Sequence, residues 1–362
     1  MLLANLDDYE QSARAVLSSD RFDYFAGGSG DEITLRANRD AFCGWHIAPR
    51  VLVDVASACS TTTVLGIPVA MPLLVAPMSF HRLAHPEGEL ATARAAAAAG
   101  TIMCLAMFAS TSPRAVADAA PGSPRWFQVY PLRDAGAMRA AIAEAADAGF
   151  QALVLTVDTP RVARRERDVR SGFQVPADVP SAFLGTLVGS GRQVSTSQLA
   201  GLLSPSFRWS DVESLVSTSP LPLVLKGVLT ADDAARAVAC GVHGLIVSNH
   251  GGRQLDAVTP SIDALSAVVE AVDGRIEILL DGGVRRATDV VIALALGASA
   301  VLVGRPILWG LAVAGEQGVR DVLTLFRDDI TTVLALMGAQ CPGEINRAHV
   351  VSACRCPTHR RD

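Results

Sequence analysis

The chain has 362 residues, half of them hydrophobic, and a formal net charge of −5 at pH 7. This size allows one large domain with a substantial core, and the lack of a basic stripe with interleaved aromatics argues against a nucleic-acid partner.

Nothing in the sequence indicates secretion or membrane insertion. Acids at the seventh and eighth positions argue against a secretory leader, and the longest stretch without Asp, Glu, Lys or Arg, residues 55–81, holds three prolines. We therefore expect a cytoplasmic protein with no membrane contact. The seven cysteines, an odd number without zinc-ligand spacing, are expected to be free thiols that bind no metal.

Residues 1–65 precede the regular part of the chain, and we expect them to form short helices across one end of the fold. From residue 66 to 340, short apolar runs alternate with helical patterns. Because the runs are continuous and do not alternate with polar residues, they are typical of parallel strands covered on both faces. The eight runs are 71–77, 101–107, 125–131, 151–158, 221–228, 244–249, 277–283 and 300–306.

The strand starts are 30, 24, 26, 70, 23, 33 and 23 residues apart, and six of these seven intervals fit one strand–helix unit each. Several of the intervening helices begin on Asp or Thr and end on Gly, as capped helices do. Eight such units predict an α/β fold of the (β/α)8 TIM barrel type in a single domain, with a doubly wound sheet as the alternative.

The interval of 70 residues marks an insertion after the fourth strand. Its core, residues 171–219, is rich in Ser, Gly and Pro. A loop at that place lies over the mouth of a barrel, so we predict a lid-like flap above the substrate. Residues 341–362 are expected to form a C-terminal tail.

Polar side chains collect at the carboxyl ends of six predicted strands, where barrel enzymes carry their chemistry. Packing alone does not explain them, because each would be costly to bury unpaired. They are Gln128, Tyr130, Thr156, Asp158, Lys226, Ser248, His250, Asp281 and Arg305.

Two glycine-containing turns follow the last two strands, "DGGVRR" at 281–286 and "GRP" at 304–306. Exposed backbone N–H groups and a following helix start favour phosphate at this place, with ordinary tight turns as the alternative. His250 lies in "VSNHGGRQ", three residues before Arg253, and Asp158 could reach it from the fourth strand. A histidine held by a carboxylate beside an arginine suits a general base next to an anion, although a structural histidine is the simpler interpretation.

The segments "SNHGGRQLD", "LTVDTPRVARRERD", "LLDGGVRRATDV", "APMSFHRLAHPEGE", "FDYFAGGSGDE" and "WFQVY" together resemble the FMN-dependent 2-hydroxy-acid oxidases and dehydrogenases, which include glycolate oxidase, lactate oxidase and mandelate dehydrogenase. Within that family the chain looks most similar to the actinobacterial 4-hydroxymandelate oxidases. The resemblance implies FMN as cofactor, a small-molecule 2-hydroxy acid and O2 as partners, and a homo-oligomer, often a tetramer.

The resemblance assigns the chemistry to a few side chains. His250 is expected to take the proton from the substrate while Asp158 holds its imidazole, and two guanidinium forks suit the substrate carboxylate. The expected catalytic residues are His250, Asp158, Tyr130, Arg165, Arg253 and Lys226, and the expected substrate contacts are Tyr24, Tyr130, Arg165, His250, Arg253, Phe80, Met107, Phe108 and Val162.

The flavin is expected to contact residues from all around the barrel mouth. Lys226, the only lysine in the chain, is predicted to face the N1–O2 edge of the flavin, where negative charge develops, and not a protein carboxylate. The expected cofactor contacts are Pro77, Met78, Ser79, Gln128, Thr156, Lys226, Ser248, Asp281, Gly282, Gly283, Arg285, Gly304 and Arg305.

The sequence departs from the glycolate oxidase pattern at three positions. Ala106 stands where a serine often contacts the flavin, and Ser79 replaces an alanine or glycine at a position thought to influence the reaction with oxygen. Phe108 replaces a tryptophan. An apolar, partly aromatic pocket suits a phenyl ring better than a methyl group, although the same residues could be ordinary core.

We therefore expect FMN-dependent oxidation of an aromatic (S)-2-hydroxy acid, mandelate or 4-hydroxymandelate, to the 2-oxo acid, with O2 reduced to H2O2. The alternatives are a dehydrogenase that passes electrons to a quinone or a protein, and an oxidase of lactate or glycolate. A phosphate-binding barrel without redox chemistry is a more distant alternative, since it has no need for His250, Arg253 and Arg165 together.

Overall fold

Eight parallel strands close into a barrel in the computed structural model, which describes residues 3–179, 181, 183–184 and 195–353. Each predicted run contains one strand, and the last strand pairs with the first to close the ring. The TIM-barrel prediction is confirmed, and the doubly wound alternative is wrong. The barrel strands are β1 (Leu73–Val75), β2 (Met103–Ala106), β3 (Arg125–Val129), β4 (Ala152–Thr156), β5 (Leu223–Val228), β6 (Gly244–Val247), β7 (Glu277–Asp281) and β8 (Ala300–Val303).

A helix follows each barrel strand and covers the outside of the barrel. Ser112, Asp134 and Thr230 each accept a hydrogen bond from the third backbone N–H of the helix they precede, as capping residues do. The last helix is interrupted by non-helical backbone at Ala314 and Gly315. The barrel helices are α1 (Gly88–Ala98), α2 (Pro113–Ala119), α3 (Ala135–Asp147), α4 (Trp209–Thr218), α5 (Ala231–Ala239), α6 (Ser261–Val272), α7 (Ala287–Ala295) and α8 (Arg305–Leu336).

A β-hairpin closes the amino end of the barrel. Its strands, Thr62–Val64 and Ile67–Val69, bring Val64 and Val69 into the apolar barrel interior. The backbone N–H of Leu65 in the turn donates to the Glu277 carboxylate at the start of β7. With this end filled, the carboxyl ends of the strands remain for a site.

The segment before the barrel is only partly helical. Helices Leu6–Val16, Ser19–Ala26 and Ile33–Asp40 agree with the prediction, but residues 45–47 and 62–64 form strands instead. Trp45–Ile47 pairs antiparallel with Val350–Ser352 near the other end of the chain. A local pattern could not predict the strand Trp45–Ile47, because its pairing partner lies about 300 residues away.

The insertion after β4 is fastened to the loop after β3 at the barrel mouth. It contains the helix Thr196–Leu202, followed by α4. Arg133 N–H donates to the Leu202 carbonyl oxygen at 2.9 Å, and Ser204 N–H donates to the Pro131 carbonyl oxygen at 2.9 Å. Residues 180, 182 and 185–194 of the predicted flap, and residues 354–362 of the predicted tail, lie outside the described residues.

No helix among the described residues is both long enough and apolar enough to span a bilayer.

Gly283, in the turn after β7, shows how closely the amino-terminal helices approach the barrel mouth. Its φ is +87°, and a β-carbon there would lie 2.0 Å from the backbone oxygen of Asn38. Because neither the backbone angle nor the gap accepts a side chain, the turn and the helix Ile33–Asp40 depend on glycine at this position.

We predict that Gly283→Ala lowers the free energy of unfolding far more than Gly122→Ala does. Gly122 has a similar φ, +71°, but apart from the glycine and its two chain neighbours no atom of the described residues lies within 4 Å of the point that a β-carbon would occupy there. Its variant should lose only the roughly 1–2 kcal/mol of left-handed strain, whereas Gly283→Ala adds an overpacking cost of about 1–3 kcal/mol. Urea unfolding measures both variants, and equal losses would contradict the close contact.

Candidate active site

A cavity opens at the carboxyl ends of the barrel strands and gathers most of the residues that the sequence singled out. Its walls come from the carboxyl ends of the barrel strands and the loops that follow them, from the helix Ser19–Ala26 and from the helix Thr196–Leu202. The predicted residues that line it are Tyr24, Pro77, Met78, Ser79, Phe80, Phe108, Gln128, Tyr130, Thr156, Val162, Arg165, Lys226, His250, Arg253, Asp281, Gly282, Gly283, Arg285, Gly304 and Arg305.

Three predicted residues are not part of the cavity wall in the described structure. Asp158 lies behind His250 and Ser248 lies behind Lys226, each joined to its neighbour by a hydrogen bond. Met107 does not line the cavity either; its side chain is buried, and its backbone N–H donates to a cavity residue, Gln128.

His250 and Asp158 form a hydrogen-bonded pair. Nδ1 of His250 lies 2.8 Å from Oδ1 of Asp158, and Thr159 Oγ1 donates to the same oxygen at 2.9 Å. Burial alone would raise the pKa of Asp158, but the neighbouring His250 and Lys226 outweigh burial and lower it. The carboxylate is therefore a charged acceptor that orients the ring, and leaves Nε2 facing the cavity.

The backbone around His250 is left-handed. His250 has φ +61°, and the two glycines that follow it also have positive φ. A non-glycine residue in this conformation costs about 1–3 kcal/mol, which is found mainly where function fixes the geometry. The His250 N–H donates to Ser248 Oγ at 3.0 Å, so the turn is held by a neighbouring side chain.

Arg165 and Arg253 both lie against one aromatic ring. Their guanidinium carbons are 5.5 Å and 5.3 Å from the ring centre of Tyr24. Arg253 donates to the carbonyl oxygens of Tyr24 and Gly27, and burial together with Arg165 lowers its pKa to about 10. Two cations that repel each other at a cavity wall favour an anion between them.

Arg285 and Arg305 form a second cationic place in the same cavity. Arg305 donates to the carbonyl oxygens of Phe25, Gly27 and Gly251, all at 3.0 Å. Burial, then the neighbouring Arg253 and Arg285, lower its pKa well below the usual value. Nε of Arg285 is buried without a hydrogen-bond partner among the described residues, which fits a phosphate bound at this place.

Lys226 is paired differently from the prediction. Its Nζ lies 2.9 Å from Oδ2 of Asp281 and donates to Ser248 Oγ at 2.7 Å, so it does face a protein carboxylate. Strand β5 has an irregular register between Lys226 and Val228, which changes the direction of the side chains at the strand end. Burial would lower the pKa of Lys226, but Asp281 and Asp158 outweigh it, and the ammonium stays charged at the cavity wall.

Two buried polar atoms at the cavity are available to form hydrogen bonds with a flat, polar ligand. Gln128 accepts a hydrogen bond from Met107 N–H through Oε1, and its Nε2 has no partner among the described residues. Oδ1 of Asp281 is also buried and unpartnered there. A donor and an acceptor of this kind, together with the charged Lys226 and Arg285, fit an isoalloxazine ring and its phosphate-bearing chain.

Sequence reasoning missed several residues at the site. Gln254 follows Arg253 directly in the quoted "SNHGGRQLD" segment, so its position was a signal that could have been used. Leu199 and Leu203 come from the insertion, whose irregular composition gives no indication of which side chains point inward. The missed residues that line the cavity include Phe25, Thr159, Leu199, Leu203, Gly251, Gln254, Val284 and Leu308.

Comparison with known proteins agrees with this geometry. The model of a family described as FMN-dependent dehydrogenase matches residues 13–352. The chain is 50% identical over 343 residues to L-lactate oxidase from Nostoc sp. (strain PCC 7120), covering 92% of this chain and 94% of that protein. It is 44% identical over 365 residues to glycolate oxidase from Spinacia oleracea, covering 99% of both. A crystal structure of mandelate oxidase with (S)-4-hydroxymandelic acid has a TM-score of 0.91 at 41% identity, covering 97% of this chain and 99% of that one.

Variants of the Lys226–Asp281 pair can distinguish a structural role of the lysine from a chemical one. Lys226→Met leaves a buried carboxylate unpaired and should cost about 3–5 kcal/mol of unfolding free energy. Lys226→Met combined with Asp281→Asn should recover most of this stability. In this double variant the substrate should still reduce bound FMN more slowly than in Asp281→Asn alone. Urea unfolding and anaerobic stopped-flow absorbance measure the two effects. Equal reduction rates in the double variant and in Asp281→Asn would show that Lys226 serves only the ion pair.

Proposed function

The chain belongs to the FMN-dependent dehydrogenase family, and we propose that it is an oxidase of aromatic (S)-2-hydroxy acids, with mandelate or 4-hydroxymandelate as substrate. The observation that carries the proposal is an aromatic side-chain pocket beside the His250–Asp158 pair. Bound FMN supplies the two-electron acceptor, which no amino-acid side chain provides, and O2 is the final oxidant.

The two arginines beside Tyr24 bind the substrate carboxylate. Arg165 and Arg253 supply guanidinium donors, and the anion relieves their mutual repulsion in the buried wall. This arrangement holds the substrate so that its 2-carbon and hydroxyl lie toward His250. Orientation of this kind is worth several kcal/mol of the barrier, about 7–11 in well-oriented intramolecular reactions.

His250 takes the substrate proton at Nε2. Asp158 holds the Nδ1 side of the ring and stabilises the imidazolium that forms. The hydroxyl of Tyr130 lies 3.5 Å from Nε2 of His250, and burial followed by the charge of Asp158 raises the pKa of Tyr130. Tyr130 therefore stays protonated and donates a hydrogen bond to the substrate.

The pocket beside this pair is built for an aryl group. The rings of Phe108 and Tyr130 are stacked with centroids 5.5 Å apart, and the ring centroid of Phe183, in the insertion, lies 6.4 Å from that of Phe108. Leu199 and Leu203 of the insertion add apolar surface to the cavity. A stacked wall of this kind gains about 0.5–1.5 kcal/mol from an aromatic partner beyond simple burial, which a methyl group does not provide.

The names of related proteins support an oxidase but point to two different substrate classes. Solved mandelate oxidase structures contain (S)-mandelic acid and (S)-4-hydroxymandelic acid, and they share the fold over 97% or more of the chain. The 50% identity to an L-lactate oxidase favours a second candidate, oxidation of a small 2-hydroxy acid. The stacked pocket of Phe108 and Tyr130 is our reason for ranking the aromatic substrate first.

A panel of 2-hydroxy acids tests the substrate class. Mixed anaerobically with the holoenzyme, (S)-mandelate and 4-hydroxymandelate should bleach the flavin with a ratio of reduction rate constant to dissociation constant roughly 10–200-fold above that for lactate or glycolate, the range that differences in apolar contact supply. Phe108→Ala should reduce this ratio mainly through the aromatic substrates, with lactate as the internal control. Admission of air should restore the yellow colour within seconds; slow recovery would favour a dehydrogenase, and glycolate as the fastest substrate would overturn the aromatic assignment.

Removal of the base should separate chemistry from binding. We expect His250→Asn to retain FMN and bind mandelate, but to reduce the flavin roughly 10²–10⁴-fold more slowly. His46→Asn is a matched control because His46 is exposed on the outer strand Trp45–Ile47 and does not line the cavity. Near-natural reduction in the His250 variant would remove this residue from the proposed chemistry.

A further inference from the structure

Gln254 lies at the cavity wall, and its side-chain amide is bonded to backbone atoms. Nε2 donates to the carbonyl oxygens of Asp158 at 3.2 Å and Arg161 at 3.0 Å, and Oε1 accepts a hydrogen bond from Ala163 N–H at 3.2 Å. The residue is 7% exposed. Three backbone groups from one segment of six residues are thus satisfied by a single side chain.

Gln254 lies on the loop after β6, and its side chain is hydrogen-bonded to the loop after β4. Each of these two loops carries two of the four residues proposed for the chemistry. Asp158 and Arg165 lie on the loop after β4, and His250 and Arg253 lie on the loop after β6. Each residue of the first loop works with a residue of the second: Asp158 with the His250 ring, and Arg165 with Arg253 beside Tyr24. The relative position of the two loops therefore sets both contacts at once.

Gln254 is itself fixed by the amino-terminal segment. The hydroxyl of Ser29 donates to the Gln254 carbonyl oxygen, and Ser29 N–H donates to the Gly252 carbonyl oxygen at 2.9 Å. Ser29 belongs to the segment just after the helix Ser19–Ala26, which packs at the barrel mouth. An anchored side chain transmits position well, because its own backbone has little freedom to follow a loop that moves.

We propose that Gln254 is a positioning residue, which sets Asp158 against His250 and Arg165 near Arg253 by holding the loop after β4 against the loop after β6. It acts through these residues and takes no proton. The proposal rests on the roles that Proposed function gives to the four residues and is independent of the substrate side chain. The experiments therefore use whichever 2-hydroxy acid reduces the natural holoenzyme fastest.

The first measurement compares two substitutions at Gln254 with a remote control. Gln254→Met has a similar length and removes all three hydrogen bonds, whereas Gln254→Glu keeps the bond from Ala163 N–H and sets a carboxylate oxygen against two carbonyl oxygens. Gln340→Met is the matched control, because Gln340 Nε2 also donates to a backbone carbonyl oxygen, that of Asp54, at 3.0 Å. We expect both Gln254 variants to retain FMN and to reduce it about 100-fold more slowly, the cost of a misplacement near 1 Å, with Gln340→Met near the natural rate.

A double-mutant cycle distinguishes positioning from a general structural effect. If Gln254 acts by placing the Asp158 carboxylate, Gln254→Met should cost about 100-fold in the natural background but at most about 10-fold in an Asp158→Asn background, because residues in one network are not additive. The same cycle with Gln340→Met should be additive. A loss of about 100-fold in both backgrounds would overturn the proposal.

A binding measurement tests the arginine half without turnover. Oxalate presents carboxylates but no side chain, so its affinity reports the Arg165–Arg253 site whatever the substrate class. Measured by the change in flavin absorbance, oxalate binding should be several-fold weaker in Gln254→Met and unchanged in Gln340→Met. Natural oxalate affinity together with reduction within about 3-fold of the natural rate in both Gln254 variants would show that Gln254 does not position the site. If aromatic 2-hydroxy acids prove not to be the preferred substrates while the Gln254 variants behave as expected, the positioning role is still supported.

Discussion

Buried positive charge at one end of the barrel is the constraint on which the rest of the site depends. Arg253, Arg285 and Arg305 all have a lowered pKa, with burial as the largest cause and neighbouring guanidinium groups among the others in each case. Such a cluster is tolerable only if its donors find oxygen acceptors and its charge finds anions. The carbonyl oxygens of Tyr24, Phe25 and Gly27 supply part of the acceptors, so the amino-terminal segment over the barrel mouth contributes to the site. A carboxylate and a phosphate at the two arginine pairs would supply the anions.

Most carboxylates of the site are paired with groups other than its arginines. Asp158 is turned to His250, and Asp281 is turned to Lys226, each at hydrogen-bond distance. Asp168 is the exception, with Oδ2 at 3.3 Å from Nε of Arg165, and burial raises the pKa of Asp168 despite the nearby arginines. Arg165 nevertheless lines the cavity, so its guanidinium is within reach of an incoming carboxylate. The paired aspartates stabilise the cavity wall, and the less fully paired arginines face the ligand.

The sequence predicted the barrel well because its signals are local and repeated. Continuous apolar runs near Leu73, Leu153 and Leu279 mark buried strands, and strand ends mark the mouth because every parallel strand ends on the same side. The contact of Asp158 with His250 was anticipated, but most contacts between distant segments could not be predicted in this way. The pairing of Trp45–Ile47 with residues 350–352, the ion pair of Lys226 with Asp281, and the bonds of Gln254 each join positions that only the closed barrel brings together. Met107 was placed at the cavity because neighbours in sequence share a loop, although only Phe108 of the two lines it.

The same charges that select the ligands also tie ligand binding to folding. Each anion that reaches the folded cavity removes repulsion among guanidinium groups that the unfolded chain, with its arginines in water, never experiences. A ligand that binds only the folded state adds about 2.7 kcal/mol of stability at 100 times its dissociation constant. The barrel mouth should therefore be the part of the fold whose stability depends most on FMN. The hairpin-filled amino end, with Val64 and Val69 in an apolar interior, should depend on it least. This division follows from where the sequence places charge: the barrel interior is apolar, and the arginines of the site are confined to the loops and strand ends where ligands bind.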